Sequence, residues 1–253
     1  MSLQDASRPL QGASLQKLSA ASLLNLWEAG RGRTPVEQAL LLLSVAFPER
    51  APGELAQLPI GQRDALLLRL REQTFGSRLT GLSACPKCGE RLETTFTVDE
   101  FLESLPTPAE ADAPLTLETQ GFKISFRLPT SLDLQSAPDR ETLLSACVLA
   151  ATQGETSITP ASLPEAVIQS LVAHMEQADP LASVSMPFTC FACGHTWQSL
   201  FDIASFFWSE INAWAARMLR EVHLLASTYG WSEADILAMS AWRRQLYLEM
   251  VSA

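Results

Sequence analysis

Lysine is nearly missing from this 253-residue chain: Lys17, Lys87 and Lys123 are the only three, and 28 acidic against 18 basic residues leave a formal net charge of −10. A protein that grips nucleic acid by its phosphates needs a basic surface to displace counterions, so the strong form of that activity is excluded and only a local arginine patch remains open. Long apolar runs are missing as well. The longest opens with Ala39-Leu40-Leu41-Leu42-Leu43 and extends only to Phe47, short of the roughly 20 residues that cross a bilayer. No signal pattern opens the sequence, and the expectation is a soluble, cytoplasmic chain with no membrane partner. Histidine is confined to His174, His195 and His223, none of them set with a glutamate and a second histidine on one helical face. A G-x-S-x-G elbow, a glycine-rich phosphate loop and a dinucleotide fingerprint are all missing, and no carboxylate pair is singled out by spacing. The expectation is a protein that is not an enzyme.

What the chain does have is two matched cysteine units, Cys85-Pro86-Lys87-Cys88-Gly89 and Cys190-Phe191-Ala192-Cys193-Gly194. In a C-x-x-C-G turn two thiolates converge on one metal while glycine supplies the positive φ that curls the backbone beneath them. The residues that follow also match: Phe96 and Phe201, Phe101 and Phe206, Leu92 and Trp197 are each offset by the same 105 residues as the cysteines. This internal repeat is the pattern of a zinc ribbon, with Cys85, Cys88, Cys190 and Cys193 as the four ligands of one structural Zn2+. A reducing compartment favours metal over disulfides, while a redox pair, disulfides or idle thiols are the competing readings. Four thiolates close a tetrahedral shell, leaving no position for hydrolytic chemistry and none for His195. The 101 residues between the pairs far exceed the usual gap of about 15–20, so a folded insertion must fill it. Cys147, in an apolar stretch, reads as a small core residue.

Along the chain, Leu15 to Leu79 reads as helical. Leu15, Leu18, Ser22 and Leu26 form a first amphipathic segment, Thr34-Pro35-x-Glu37 starts a second, and Leu58 to Asp64 opens a third. Leu92–Val98 reads as a strand, Asp99–Leu105 as a short helix, and Pro106, Pro108 and Pro114 as an exposed acidic loop. Alternating segments around Gln120-Gly121 predict a β-hairpin, followed by helices over Arg140–Ala151 and Pro164–Gln177 and a strand over Val184–Thr189. Phe207, Ile211, Trp214, Met218, Val222, Leu225 and Tyr229 mark a long helix capped by Gly230, and Ser232 starts another that carries Ile236, Met239, Trp242, Leu246 and Met250. The expected fold is α+β, mostly helical, with a split zinc ribbon and a small hairpin insertion. Residues 1–84 form an N-terminal helical region, 85–202 the ribbon with its insertion, and 203–253 an aromatic-rich helical pair packing on the first region. The aromatics of that pair are core, or a partner-binding face formed by Trp231, Trp242, Arg243 and Arg244.

Three stretches together resemble a known family. These are Leu58-Pro59-Ile60-Gly61-Gln62-Arg63-Asp64 running through Leu70–Gly76 to the first knuckle, the second knuckle entering Phe201-Asp202-Ile203, and Tyr229–Leu237 followed by Arg243-Arg244 and Tyr247-Leu248. The combination resembles the baseplate proteins of contractile phage tails and extracellular contractile injection systems, related to T-even phage baseplate hub proteins. The resemblance covers Leu15–Ala84 and Pro187–Val251. It implies a non-enzymatic protein that contacts hub, spike or wedge proteins, made in the bacterial cytoplasm and either resident in the assembled particle or acting as an assembly chaperone. The alternative is a zinc-ribbon regulator that binds nucleic acid or a transcription component, which a steeply salt-dependent affinity for DNA or RNA would reveal.

Overall fold

The computed structural model describes residues 15–105 and 114–252. The first helices are α1 (Ala20–Gly30), α2 (Pro35–Ala46), the short α3 (Pro52–Ala56) and α4 (Ile60–Phe75). Thr34 and Glu37 close a reciprocal capping box around Pro35, so α2 starts where its sequence said it would. The helical reading of the region up to Leu79 needs correction. α4 stops at Gly76 (φ +94°), and Arg78–Ala84 is a strand, β1, in which Leu79 is buried while Arg78 and Thr80 face water. Leu15 and Leu18 precede α1 and pack on the core from irregular chain.

β1 pairs antiparallel with β2 (Arg91–Thr97), from Arg78 opposite Thr97 to Ala84 opposite Arg91, and the first knuckle is the turn between them. α5 (Val98–Glu103) follows directly. The proline-rich stretch at Pro106 and Pro108 lies outside the described residues. The insertion then forms its own lobe: β3 (Leu115–Thr119), β4 (Phe122–Phe126), α6 (Ser131–Ser136), α7 (Arg140–Cys147), β5 (Val148–Gln153), β6 (Thr156–Ser157) and α8 (Glu165–Ala178). Its four strands run antiparallel in the order β3-β4-β5-β6, and the β3–β4 turn uses left-handed Gln120 and Gly121 (φ +51° and +81°), as the hairpin reading requires. Phe122, Ile124, Phe126, Cys147, Ala151, Val167 and Leu171 make the lobe's separate core. Cys147 is the last residue of α7, and the expected helix to Ala151 gives way at Val148 to β5, which pairs with β4.

A second hairpin, β7 (Val184–Thr189) with β8 (Thr196–Phe201), carries the second knuckle. It leads into α9 (Ile203–Tyr229), capped at its start by Asp202 and ended by left-handed Gly230. The expected single helix after Ser232 is two, α10 (Glu233–Ala238) and α11 (Ala241–Ser252), broken at Met239-Ser240. α9 is the central spar. Its N-terminal half, through Phe207, Trp208 and Ile211, completes the main core with α1, α2 and α4, and its C-terminal half packs Val222 and Leu225 against Ile236, Tyr247 and Leu248. Among the described residues no helix is long and apolar enough to cross a membrane.

The lobe is fastened to the start of α4 by buried polar groups. Pro59 offers that helix no side-chain cap, and Asp179, just past α8, accepts the Gly61 N–H instead at 2.9 Å. Arg63 donates to Asp64 at 2.7 Å and to Ser131 of α6 at 3.3 Å, and the Ile60 N–H donates to the Pro129 carbonyl. Arg63, Asp64, Ser131 and Asp179 are all buried. Burial pushes the Asp64 carboxyl up to about 6 against the opposing pull of Arg63, and it raises Asp179 as well.

Candidate metal centre

Each knuckle is built by the hairpin beneath it. In the first, the Cys85 N–H donates to the Glu90 carbonyl at 2.8 Å and the Gly89 N–H donates to the Cys85 carbonyl at 2.9 Å. In the second, the Cys190 N–H donates to the His195 carbonyl and the Gly194 N–H to the Cys190 carbonyl, both at 2.9 Å. Gly89 and Gly194 sit at φ +76° and +68°, the left-handed region that the turn demands. The two turns are one structure written twice, 105 residues apart. The repeat continues outward: Thr97 and Asp202 cap the helices that leave β2 and β8, and both caps stand at the same offset. At the base, the paired phenylalanines meet across the pseudo-twofold. Phe96 and Phe201 pack edge to face at 5.9 Å, Phe101 lies 5.1 Å from Phe201, and Phe206 lies 5.6 Å from Phe201. The aromatic base thus holds the two hairpins against each other, and their tips converge.

At the tips the four sulfurs of Cys85, Cys88, Cys190 and Cys193 all lie within 4.8 Å of one another. The Sγ atoms of Cys85 and Cys193 are 3.7 Å apart and those of Cys88 and Cys190 are 3.6 Å apart. A tetrahedron of thiolates at the ~2.3 Å bond length of zinc has edges of about 3.8 Å, so the spacing fits a single ion of that size. The electrostatics point the same way. Burial pushes the Cys85 thiol up, but the N–H groups of Cys88 and Lys87 and the neighbouring sulfurs bring it down to about 7. The Glu90 N–H favours the Cys88 thiolate, yet the crowding of Cys193, Cys190 and Cys85 drives that thiol up to about 12. The crowding that disfavours the Cys88 thiolate is a penalty that a bound divalent cation removes. His195 offers its carbonyl to the knuckle and stacks its ring on Trp197 at 6.0 Å.

The four residues of the expected partner face do not share one surface. Trp242 is 74% exposed, and exposed Arg243 lies over the Tyr247 ring at 5.8 Å. Arg244 turns inward instead: it is buried, donates to Glu221 of α9 at 2.9 Å and to the Met239 carbonyl at 3.2 Å, and so closes the α10–α11 break. Trp231 stacks on Tyr229 at 4.4 Å, half-buried, as packing between α9 and α11. The presented pair is therefore Trp242 with Arg243.

Sequence reasoning missed a second anchor at the base of the first hairpin, at the far end of β1 from the cysteines. Arg71 of α4, buried, grips Glu210 of α9 with two bonds of 2.6 and 2.8 Å and donates to the carbonyls of Gly76 and Arg78. Nothing in the local pattern around Arg71 marks it out from Arg69, which stays partly exposed. A cleft of about 550 Å³ opens between the hairpins and α9, with exposed Leu82 and Leu200 among its lining residues. Its two charged residues are already engaged, Asp202 in capping α9 and Glu210 with Arg71.

Fold and site define a mixed α+β protein in which an internal repeat brings four distant cysteines into one cluster able to bind a metal. A family model described as T4 bacteriophage base plate protein matches residues 42–208, and the chain belongs to that family. The match takes in both knuckles and the whole inserted lobe, which the sequence resemblance had left aside, and it stops within α9, before α10 and α11. Comparison with curated proteins and with solved structures gave no match.

Proposed function

We propose that the chain is a non-enzymatic, zinc-stabilised interaction component of a contractile-tail base plate. It acts as a resident subunit or an assembly chaperone, with a split zinc ribbon as its structural joint. The observation that carries this reading is the four-sulfur cluster, whose members come from positions about 105 residues apart within the region that matches the base plate family. Cys85, Cys88, Cys190 and Cys193 would hold the ion. When bound, Zn2+ supplies a closed thiolate shell that locks the hairpins tip to tip, with no site for water to react. The engaged carboxylates of the cleft support a role without catalysis. The outer face of α11, with Trp242 and Arg243, is the surface offered to a hub, spike or wedge protein. A tryptophan beside an arginine is the composition of an interaction hot spot. On this reading the chain works in the bacterial cytoplasm during assembly and, if it is a resident subunit, enters the finished particle.

The test is expression with the neighbouring base plate proteins, metal analysis of the purified chain, and cross-link mapping. We expect one zinc per chain, its loss in Cys190→Ser, and cross-links from α11 to a base plate subunit. Trp242→Ala should keep the melting temperature and weaken that capture. A purified wild-type chain without stoichiometric zinc would overturn the metal reading, and unchanged capture by the Trp242 variant would overturn the assignment of the face.

A further inference from the structure

Each knuckle holds one sheltered and one reachable sulfur. Cys85 and Cys190 are only 2% and 1% exposed, whereas Cys88 is exposed and Cys193 partly so. Among the four mutually close sulfurs, two contacts run between knuckles from reachable to sheltered: Cys88 to Cys190 at 3.6 Å and Cys193 to Cys85 at 3.7 Å. The internal repeat relates the two contacts, since a shift of 105 residues turns Cys85 into Cys190 and Cys88 into Cys193. Building on the zinc reading above, we propose that the cluster is also a peroxide-modification site. Its oxidation yields two disulfides between the knuckles, Cys85–Cys193 and Cys88–Cys190, which release the metal yet keep the joint closed.

The reachable thiolate of Cys88 attacks one oxygen of hydrogen peroxide. The S–O bond forms as the O–O bond breaks, and the departing hydroxide takes a proton to become water. The sheltered thiolate of Cys190 then attacks the Cys88 sulfur, the S–S bond forms, the S–O bond breaks, and a second hydroxide leaves as water. Cys193 and Cys85 repeat the sequence. Four thiolates thus give four electrons to two peroxides, four protons are taken up, and four waters leave with one Zn2+. Cys147 takes no part, because it is 1% exposed and lies in the core of the inserted lobe. A joint that closes by metal under reducing conditions and by covalent bonds under oxidising ones suits a chain built inside a cell and carried out in a particle.

The experiment uses the full zinc-loaded chain, hydrogen peroxide and a chromogenic zinc chelator, followed by non-reducing peptide mapping. Lys87 lies between Cys85 and Cys88, and Phe191 lies between Cys190 and Cys193, so trypsin with chymotrypsin places each cysteine on its own peptide. We expect free thiols to fall from five to one, with Cys147 remaining, one zinc released per two peroxides consumed, and only the two inter-knuckle linkages. The oxidised chain should melt above the reduced, metal-free chain, and Cys88→Ser should retain Cys85–Cys193 as its single disulfide. Linkages within a knuckle, the other crossed pairing, or sulfinic and sulfonic acids without disulfides would overturn the proposal. The zinc content of the untreated sample tests the metal reading separately, and mapping after oxidation of chelator-stripped chain tests the pairing with no zinc present.

Discussion

Gly61 makes a close approach to Asp179 where the inserted lobe meets the main body, and Gly61→Ala tests it directly. A methyl group there would fall on Asp179 Oδ1, 2.7 Å from Asp179 Cγ and 2.9 Å from Leu181 Cβ. The carboxylate must withdraw, losing the bond from the Gly61 N–H while Asp179 itself is only 4% exposed. A hydrogen bond to a charged group contributes about 1.5–3 kcal/mol, and a buried partner left unpaired adds to the loss. Alanine's better helix propensity returns at most about 1 kcal/mol. The net cost is therefore about 2 kcal/mol, which lowers the melting temperature of a chain this size by roughly 4–8 °C. Differential scanning calorimetry reads this, with faster hydrogen exchange at Pro180–Ser183 as the local signature. Asp179→Asn keeps an acceptor for the Gly61 N–H and removes a carboxylate whose charge burial already disfavours, so it should cost much less. A Gly61→Ala melt within about 1 °C of wild type would refute the reasoning, because the lobe would then be held by something other than this contact.

Asp64 makes stability depend on pH. Its folded pKa is raised from 3.8 to about 6, so folding favours the protonated form, and the contribution is complete below about 3.8 and lost as pH rises through about 6. The gain is on the order of 2–3 kcal/mol, and Asp64→Asn should flatten the stability profile between these values in denaturant titrations run across the range. Asp133 opposes this at lower pH. Its pair with Arg127 holds it at about 2, so its contribution is present above about 3.8 and disappears as pH falls through about 2. Arg71→Ala should cost about 3–5 kcal/mol by stranding Glu210 and two carbonyls, and in a double-mutant cycle Arg71→Met with Glu210→Leu should recover much of that loss.

The parts of the molecule that were legible in its residues are those governed by local chemistry. The Thr34–Glu37 capping box, the Gln120-Gly121 turn and the 105-residue offset each need only a few neighbouring side chains, and each stands where expected. The failures came where two secondary structures fit the same residues. Leu79 lies just past the end of α4, where Gly76 breaks the helix, and pairing with Phe96 makes it a strand residue. Val148–Ala151 suits either state, and β4 decides it. The metal cluster was visible because its spacing repeats. The Gly61–Asp179 and Arg71–Glu210 anchors were not, because a charge that meets its partner 118 or 139 residues away leaves no mark in its own surroundings. On α11, alternation separates Trp242 from Arg244 only once the side facing α9 is known, since both follow Ser240 closely.

The placement of α9 also sets an order on how this chain can fold as it is made. Its first four helices emerge early, but their core lacks Phe207, Trp208 and Ile211, and the first knuckle lacks its two other sulfurs, until more than 100 further residues have followed. At roughly 5–20 residues per second that delay lasts about 5–20 s. The inserted lobe, whose core draws only on its own residues, is complete before the delay ends. A nascent chain therefore carries a finished middle between two halves that are still waiting for each other, with leucine-rich helices and a half-filled metal turn exposed to whatever binds them first.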